Sequence, residues 1–438
     1  MDSNYIVKDP LPGFRVVRYE TDRFKTGCLS VGLVLPLQED AAKYAILPYL
    51  LTKTCAAYPT TTALNKKLAE LYGAYLTPSV GKYGENQVLR LSLSFLDNRF
   101  AFDQEDLLLE SAELLCQVLF APNLTEDGLF PVSEVEREKR LLQERLEAES
   151  NDKRAYALRR CEEIMCAEEA YHINVWGTTE TVAALTPEGV TAAWREALQT
   201  ARIQVNVVGN GAIDQVVSTF EKALLAVDRS GPLTALCSGI HPEGTALKEV
   251  TEEQEIQQGK LVLGFRTGMQ DPEVDFAAYT AMADLFGGGV YSRLFKNVRE
   301  AQSLCYYCSA RLYSRKGILI VQSGIEPENA EKAKASILEQ LADLQAGHVT
   351  EEDMNNCHRS LEDRYHSVSD SPDDIEGWAH VRICDPRFKT PQEIADSLQA
   401  VTAEQVIAAA KTVKLDTVFL LKGTGNGAEA EPEEEAEA

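Results

Sequence analysis

Between Thr62 and Tyr72, the residues Leu64, Leu68, Leu71 and Tyr72 recur at helical spacing, which places them on one face of a helix, and Gly73 supplies the stop. Leu89, Leu91, Leu93 and Phe95 then alternate with polar residues, the period of a half-buried strand. The same succession of helix and strand returns at Ser292 to Gln302 and Gly317 to Val321. Val31 to Leu37 and Leu261 to Phe265 are short apolar runs that predict a strand at the opening of each half. The stretch from Ala184 to Arg195, ALTPEGVTAAWR, is echoed by AVTAEQVIAAAK from Ala400 to Lys411. Each predicts a helix capped by threonine, Thr186 or Thr402, with Pro187 in the first turn of one and Gln405 completing a capping box in the other. Each runs into an apolar strand, Ile203 to Val208 or Val418 to Leu421.

One order of elements met twice predicts two tandem homologous units of α+β class. Longer helical stretches run from Phe102 to Phe120 and from Ser133 to about Glu169, the second opened by a capping box of Ser133 and Glu136. Gly231, Pro232, Gly239, Pro242 and Gly244 interrupt every period. The expected organisation is therefore a first domain over residues 1–228, a linker over 229–248, a second domain over 249–423, and a disordered acidic tail over 424–438.

With 438 residues and 45% hydrophobic content, the chain is long enough for two or three buried cores. A net charge of -25 argues against nucleic acid as a partner, because phosphate binding relies on a basic surface. The N-terminus lacks a charged start followed by an apolar core, and no run reaches membrane-spanning length, so a cytoplasmic protein without a membrane partner is expected. Ten scattered cysteines suit reduced thiols better than a disulfide framework.

Several motifs were weighed for chemistry. Cys305-x-x-Cys308 stands alone, and its odd spacing on a strand predicts thiols on opposite faces, hence two ordinary buried cysteines. Gly209-Asn-Gly211 has Asp214 where a dinucleotide fingerprint needs its third glycine, so a turn is expected. His358, Glu362 and His366 share a helical face, but the outer two lie about 12 Å apart along the axis, too far for one metal ion. No G-x-S-x-G is present to suggest a serine hydrolase of that type.

The stretch from Phe286 to Glu300, FGGGVYSRLFKNVRE, with Leu304-Cys-Tyr306 after it, resembles the second-domain signature of the pitrilysin/insulinase zinc metallopeptidases. The resemblance spans about Gly13 to Gly423. It implies two domains of the mitochondrial-processing-peptidase/LuxS-like metallohydrolase fold, each a mostly antiparallel sheet with helices on one face. It also implies substrate-binding roles for Arg299 and Tyr306, which would hold substrate backbone and stabilise developing charge, and for a loop at Gly287, Gly288 and Gly289 against which substrate or partner backbone lies. In the first domain, Pro48 and Thr52 fall where the family has its two zinc histidines, and Leu51 where it has the glutamate that activates water. The third ligand, a glutamate on the long helix, falls near Glu144 or Arg145, and Arg145 is the better match.

These substitutions lead to the expectation of a non-catalytic homologue with no catalytic residues, no bound metal and no cofactor. It would act as the accessory subunit that completes the peptide-binding chamber of a zinc-bearing paralogous partner in a heterodimer, with a peptide or protein as substrate. The alternative is a non-enzymatic scaffold that binds a peptide or protein without a peptidase partner. The nearest resemblance is to the YmfF-like subgroup, which implies an association with the 5-aminopentanol modification of elongation factor P.

Overall fold

The computed structural model describes residues 4–424 apart from 238 and 245; the expected acidic tail lies, from residue 425 on, outside the described residues. Eleven strands among the described residues form two sheets. The first joins β1 (Tyr5–Leu11), β2 (Phe14–Glu20), β3 (Thr26–Pro36), β4 (Tyr75–Tyr83), β5 (Asn86–Leu96) and β6 (Arg202–Gly209) in the order β1-β2-β6-β3-β5-β4. The second joins β7 (Lys248–Gln254), β8 (Gly259–Arg266), β9 (Cys305–Tyr313), β10 (Ile318–Ile325) and β11 (Lys414–Gly423) in the order β7-β11-β8-β10-β9. Removing β1 leaves the same topology twice. In each sheet the single parallel pair, β2 with β6 or β7 with β11, precedes three antiparallel pairs. The repeat read from the sequence is thus a repeat of fold.

Alternation along β3 shows how the first sheet is covered. Leu29, Val31, Leu33 and Leu35 point into the large apolar core shared with the helices Leu107–Phe120 and Pro187–Thr200, where each contributes about 1.5–3 kcal/mol through burial. The intervening Cys28, Ser30, Gly32 and Val34 point to the opposite face, which receives one helix, Pro372–His380, and the turn after it. The helical layer expected on one face is present, and this single helix is added on the other.

That helix comes from the far half of the sequence. The compact units are 1–147 with 173–238 and 365–393, and 148–172 with 239–364 and 394–438. The structure therefore replaces the contiguous ranges 1–228 and 249–423 with interleaved ones, because each half of the repeat contributes one helix to the other half's sheet. The second unit takes the helix Lys153–Met165, whose Ala157, Cys161 and Met165 pack with Val262, Ile320 and Phe419. Glycine marks both crossings. A Cβ at Gly32 would come 2.5 Å from Ile383, and one at Gly264 would come 2.7 Å from Met165.

The stretch expected as one helix from Ser133 to about Glu169 is two, Val132–Asn151 and Lys153–Met165. The Asp152 side chain accepts from the backbone N–H groups of Arg154 and Ala155 and so starts the second helix afresh. Ser133 lies inside the first turn, since Val132 already begins the helix, and Glu136 pairs with Lys139 at 2.9 Å. The caps at Thr186 and Thr402 form as expected, the latter with Gln405 as a capping box. The helix expected from Phe102 begins at Leu107, behind the cap Asp106, and Phe102 is exposed.

A buried charge cluster fastens the segment after Met165 to the second sheet. Arg266 holds Glu169 through both terminal guanidinium nitrogens at 2.5 and 3.2 Å and reaches Asp416 through Nε at 3.4 Å, while Lys316 pairs with Glu169 and donates to the Gly239 carbonyl at 2.5 Å. Burial alone would raise the Glu169 carboxyl, but hydrogen bonds and charge from Arg266 and Lys316 hold it below its usual 4.5. A depressed folded value means that the stabilisation is present above the unfolded value and lost as pH falls through the folded one. Glu169→Gln is expected to lower stability at pH 7 by up to about 3–5 kcal/mol, since two cations lose their partner. In urea unfolding across pH the deficit should hold constant down to about pH 5 and shrink below 4.5; a deficit independent of pH would contradict this pairing. No helix among the described residues is long and apolar enough to cross a membrane.

Candidate functional site

The pentapeptide from Pro48 to Thr52 lies in a broken helix. Ala42–Ala45 and Leu47–Leu51 form two short helices, and Pro48 sits in the first turn of the second, where its missing N–H costs nothing. Pro48 and Leu51 are buried, and the Thr52 hydroxyl donates back to the Pro48 carbonyl at 2.9 Å. A ring, an isobutyl group and a committed hydroxyl therefore stand at these three positions.

Opposite them Arg145, on the helix Val132–Asn151, lays its guanidinium 4.5 Å from the ring centre of Tyr49 and 4.5 Å from that of Trp176. It also donates to the Tyr49 hydroxyl. Glu144, the other candidate for the third ligand position, is exposed and pairs with Arg140 at 3.7 Å. Burial raises the Tyr49 hydroxyl above its ordinary range against the pull of the Arg145 charge. Glu138, buried and hydrogen-bonded by Arg137 at 2.9 Å, adds to the upward push on the Tyr49 hydroxyl. A zinc ion needs about three donors of imidazole, thiolate or carboxylate type. Pro48, Leu51, Thr52 and Arg145 supply none, and a cation stands where the third would be, so these residues do not fit zinc.

The Arg145–Tyr49–Trp176 contact is a cation held between two aromatic faces. Because Arg145 is exposed, each face is worth about 0.5–1 kcal/mol. Arg145→Ala is expected to destabilise the protein by about 1 kcal/mol in urea unfolding. Arg145→Lys should recover only part of this, since an ammonium lacks the planar face that stacks on the rings. Full recovery by lysine would reduce the contact to simple charge. Trp176 was not singled out from the sequence, since nothing in its spacing ties it to residue 49 or 145.

In the second unit, the helix Pro272–Gly287 leads through the three glycines to a π-helical turn, Leu294–Glu300. Leu294 and Val298 are buried and anchor this turn, while Arg299 projects outward over the Phe295 ring at 4.7 Å. Ser303, at φ 52°, donates its N–H to the Arg299 carbonyl and redirects the chain into β9. There the register against β10 slips: Tyr307 pairs with Gly324 but Cys305 with Ile325, which leaves Tyr306 as the extra residue of a bulge. Tyr306 is 51% exposed and its hydroxyl donates to Glu326. That hydrogen bond, with some burial, raises the Tyr306 hydroxyl above its ordinary range.

Arg299, Ser303, Cys305, Tyr306, Glu326 and Asn329 line one cavity of about 390 Å³. The structure thus brings Arg299 and Tyr306 together, and adds Glu326, an acceptor that sequence reasoning missed because it lies just past the end of β10. Gly287, Gly288 and Gly289 are not among the lining residues. A Cβ at Gly287 would come 2.5 Å from the Ala310 backbone nitrogen, and one at Gly288 would come 2.4 Å from Asp284, so close packing accounts for both. A guanidinium, a phenol and a carboxylate around one cavity provide donors for a peptide carbonyl and an acceptor for a peptide N–H.

Residues 184–361 match the family model described as the peptidase M16 inactive domain. Over 406 residues, 92% of this chain and 95% of the relative, the sequence is 32% identical to the probable inactive metalloprotease YmfF of Bacillus subtilis (strain 168). The chain belongs to the M16, or pitrilysin-like, peptidase family. Within M16 it is a degenerate, non-catalytic member, in keeping with the side chains at residues 48, 51, 52 and 145. A conserved protein from Enterococcus faecalis V583 superposes with a TM-score of 0.86 at 25% identity, over 97% of this chain and all of that one. The peptidase M16 inactive domain from Pseudomonas fluorescens shares the fold with a TM-score of 0.77 at 17% identity, over 97% and 100% of the two chains.

Proposed function

We propose that this M16 homologue is the accessory subunit of a two-chain peptidase in the cytoplasm. A zinc-bearing paralogue would hold the metal, and this chain would complete the peptide-binding chamber. The observation that carries the reading is a contrast: Pro48, Leu51, Thr52 and an Arg145 stacked on Tyr49 and Trp176 offer no metal donor, whereas one cavity lines Arg299 and Tyr306 together. Arg299 offers fixed donors to a substrate carbonyl and stabilises negative charge that develops on its oxygen. Tyr306 adds a hydroxyl donor, hydrogen-bonded to Glu326 until substrate competes for it. Both would act in trans on peptide bound to the partner. The net charge of -25 leaves nucleic acid out of this scheme.

Reconstitution tests the proposal. The isolated chain should cleave no member of a peptide library, and a zinc-bearing M16 relative from the same cell should cleave far faster with this chain than without it. Equal turnover with and without the chain would remove the subunit role. Recovery from cells of a bound peptide or protein with no metallopeptidase would favour the scaffold reading instead.

A further inference from the structure

The bulge at Tyr306 changes what Cys305 and Cys308 can do. On a regular strand, residues three apart point to opposite faces, but here the register slip restores them to one face. Both are buried, at 9% and 6% exposure, and each thiol acts on the other's ionisation. Cys305 also lines the cavity that holds Arg299, which brings small molecules up to this residue. We propose that Cys305 and Cys308 form an internal dithiol–disulfide couple, oxidised by low-molecular-weight disulfides that enter through the Arg299–Tyr306 cavity.

The two thiols are set up for different parts. The neighbouring Cys308 thiol, with help from the Arg299 charge and against burial, lowers the Cys305 thiol from its usual 9.0, whereas Cys305 and burial raise Cys308. The Cys305 thiolate attacks one sulfur of R–S–S–R, breaking that bond, releasing RS⁻ and leaving a mixed disulfide. Cys308 then attacks the Cys305 sulfur, and its single proton goes to the second RS group, which leaves as RSH. The two protein thiols lose two electrons in all, and the reagent gains them. Same-face neighbours on a strand are about 6.6 Å apart, near the upper limit for a disulfide, so closing the bond must bend β9 further at Tyr306. Elsewhere burial raises the thiols of Cys28, Cys116, Cys161, Cys166 and Cys357, which disfavours the same reaction at those sites. The couple stands whether or not the chain is a peptidase subunit.

The test treats the folded full-length chain with glutathione disulfide, alkylates the remaining thiols and maps them by peptide mass. The expected result is joint loss of alkylation at Cys305 and Cys308, with the joined peptide lighter by two hydrogens, and full reversal by dithiothreitol. Cys308→Ser should trap the mixed disulfide at Cys305. Exposed Cys237, whose thiol donates to Glu85 at 3.6 Å, serves as the reference for a solvent-accessible thiol. The proposal is overturned if Cys305 stays alkylatable while Cys237 reacts, or if the unaltered chain stops at a mixed disulfide on Cys305.

Discussion

Glu376→Ala is expected to destabilise the first unit by about 3–5 kcal/mol, because the change removes one partner of a buried ion pair. Glu376 is fully buried beneath the helix Pro372–His380. Its carboxylate accepts from the Ser30 hydroxyl on β3 and the Asn206 amide on β6, at 3.1 Å for the latter, and pairs with Arg90 on β5. Asn206 in turn binds Ser30 at 3.0 Å and accepts from Gln204, which also donates to the Ala379 carbonyl. Alanine would leave Arg90, Ser30 and Asn206 with donors facing a void. Glu376→Gln keeps the shape and one acceptor and should lose distinctly less. Guanidinium unfolding of the two variants separates the cases, and a loss below about 1 kcal/mol for alanine would show that the polar network does not hold the helix down.

In the reconstituted pair, Arg299→Ala is expected to lower peptide turnover about 10²–10³-fold, the range for removing one donor to a developing oxyanion. A donor used in the transition state lowers kcat and kcat/KM together, whereas one used only for binding raises KM alone. Arg299 packs over Phe295 and pairs only loosely with Glu300 at 3.8 Å, so its loss should leave folding intact. Thermal unfolding of the isolated variant checks that assumption. Wild-type turnover by the Arg299→Ala pair would end the in-trans role while leaving the family assignment untouched.

Most of the fold could be read from periodicity. The alternation at Leu89, Leu91, Leu93 and Phe95 and the threonine caps at 186 and 402 depend on neighbours in sequence, and each appears where expected. What escaped depends on partners far away. Amphipathic spacing shows that a helix buries a face but not which sheet lies under it, so the exchange of Lys153–Met165 and Pro372–His380 was not visible. Ser30, Gln204 and Asn206 sit in strands that read as apolar runs, and their burial makes sense only once Glu376 arrives. The absence of imidazole and carboxylate from residues 48–52 was plain in the sequence, but the clamp on Arg145 needed Trp176, 31 positions further on. The thiol pair was misread because strand alternation holds only without a bulge, and one extra residue at Tyr306 reverses it.

We infer that an aromatic clamp on Arg145 stands where catalytic members of the family hold their metal. Quantifying zinc by mass spectrometry in the isolated chain, after zinc loading and dialysis and alongside a peptide-cleavage assay, tests this most directly. The account predicts no zinc retained through residues 48–52 and 145, and no cleavage. One equivalent of zinc held by the first unit, with cleavage that a chelator abolishes, would contradict it.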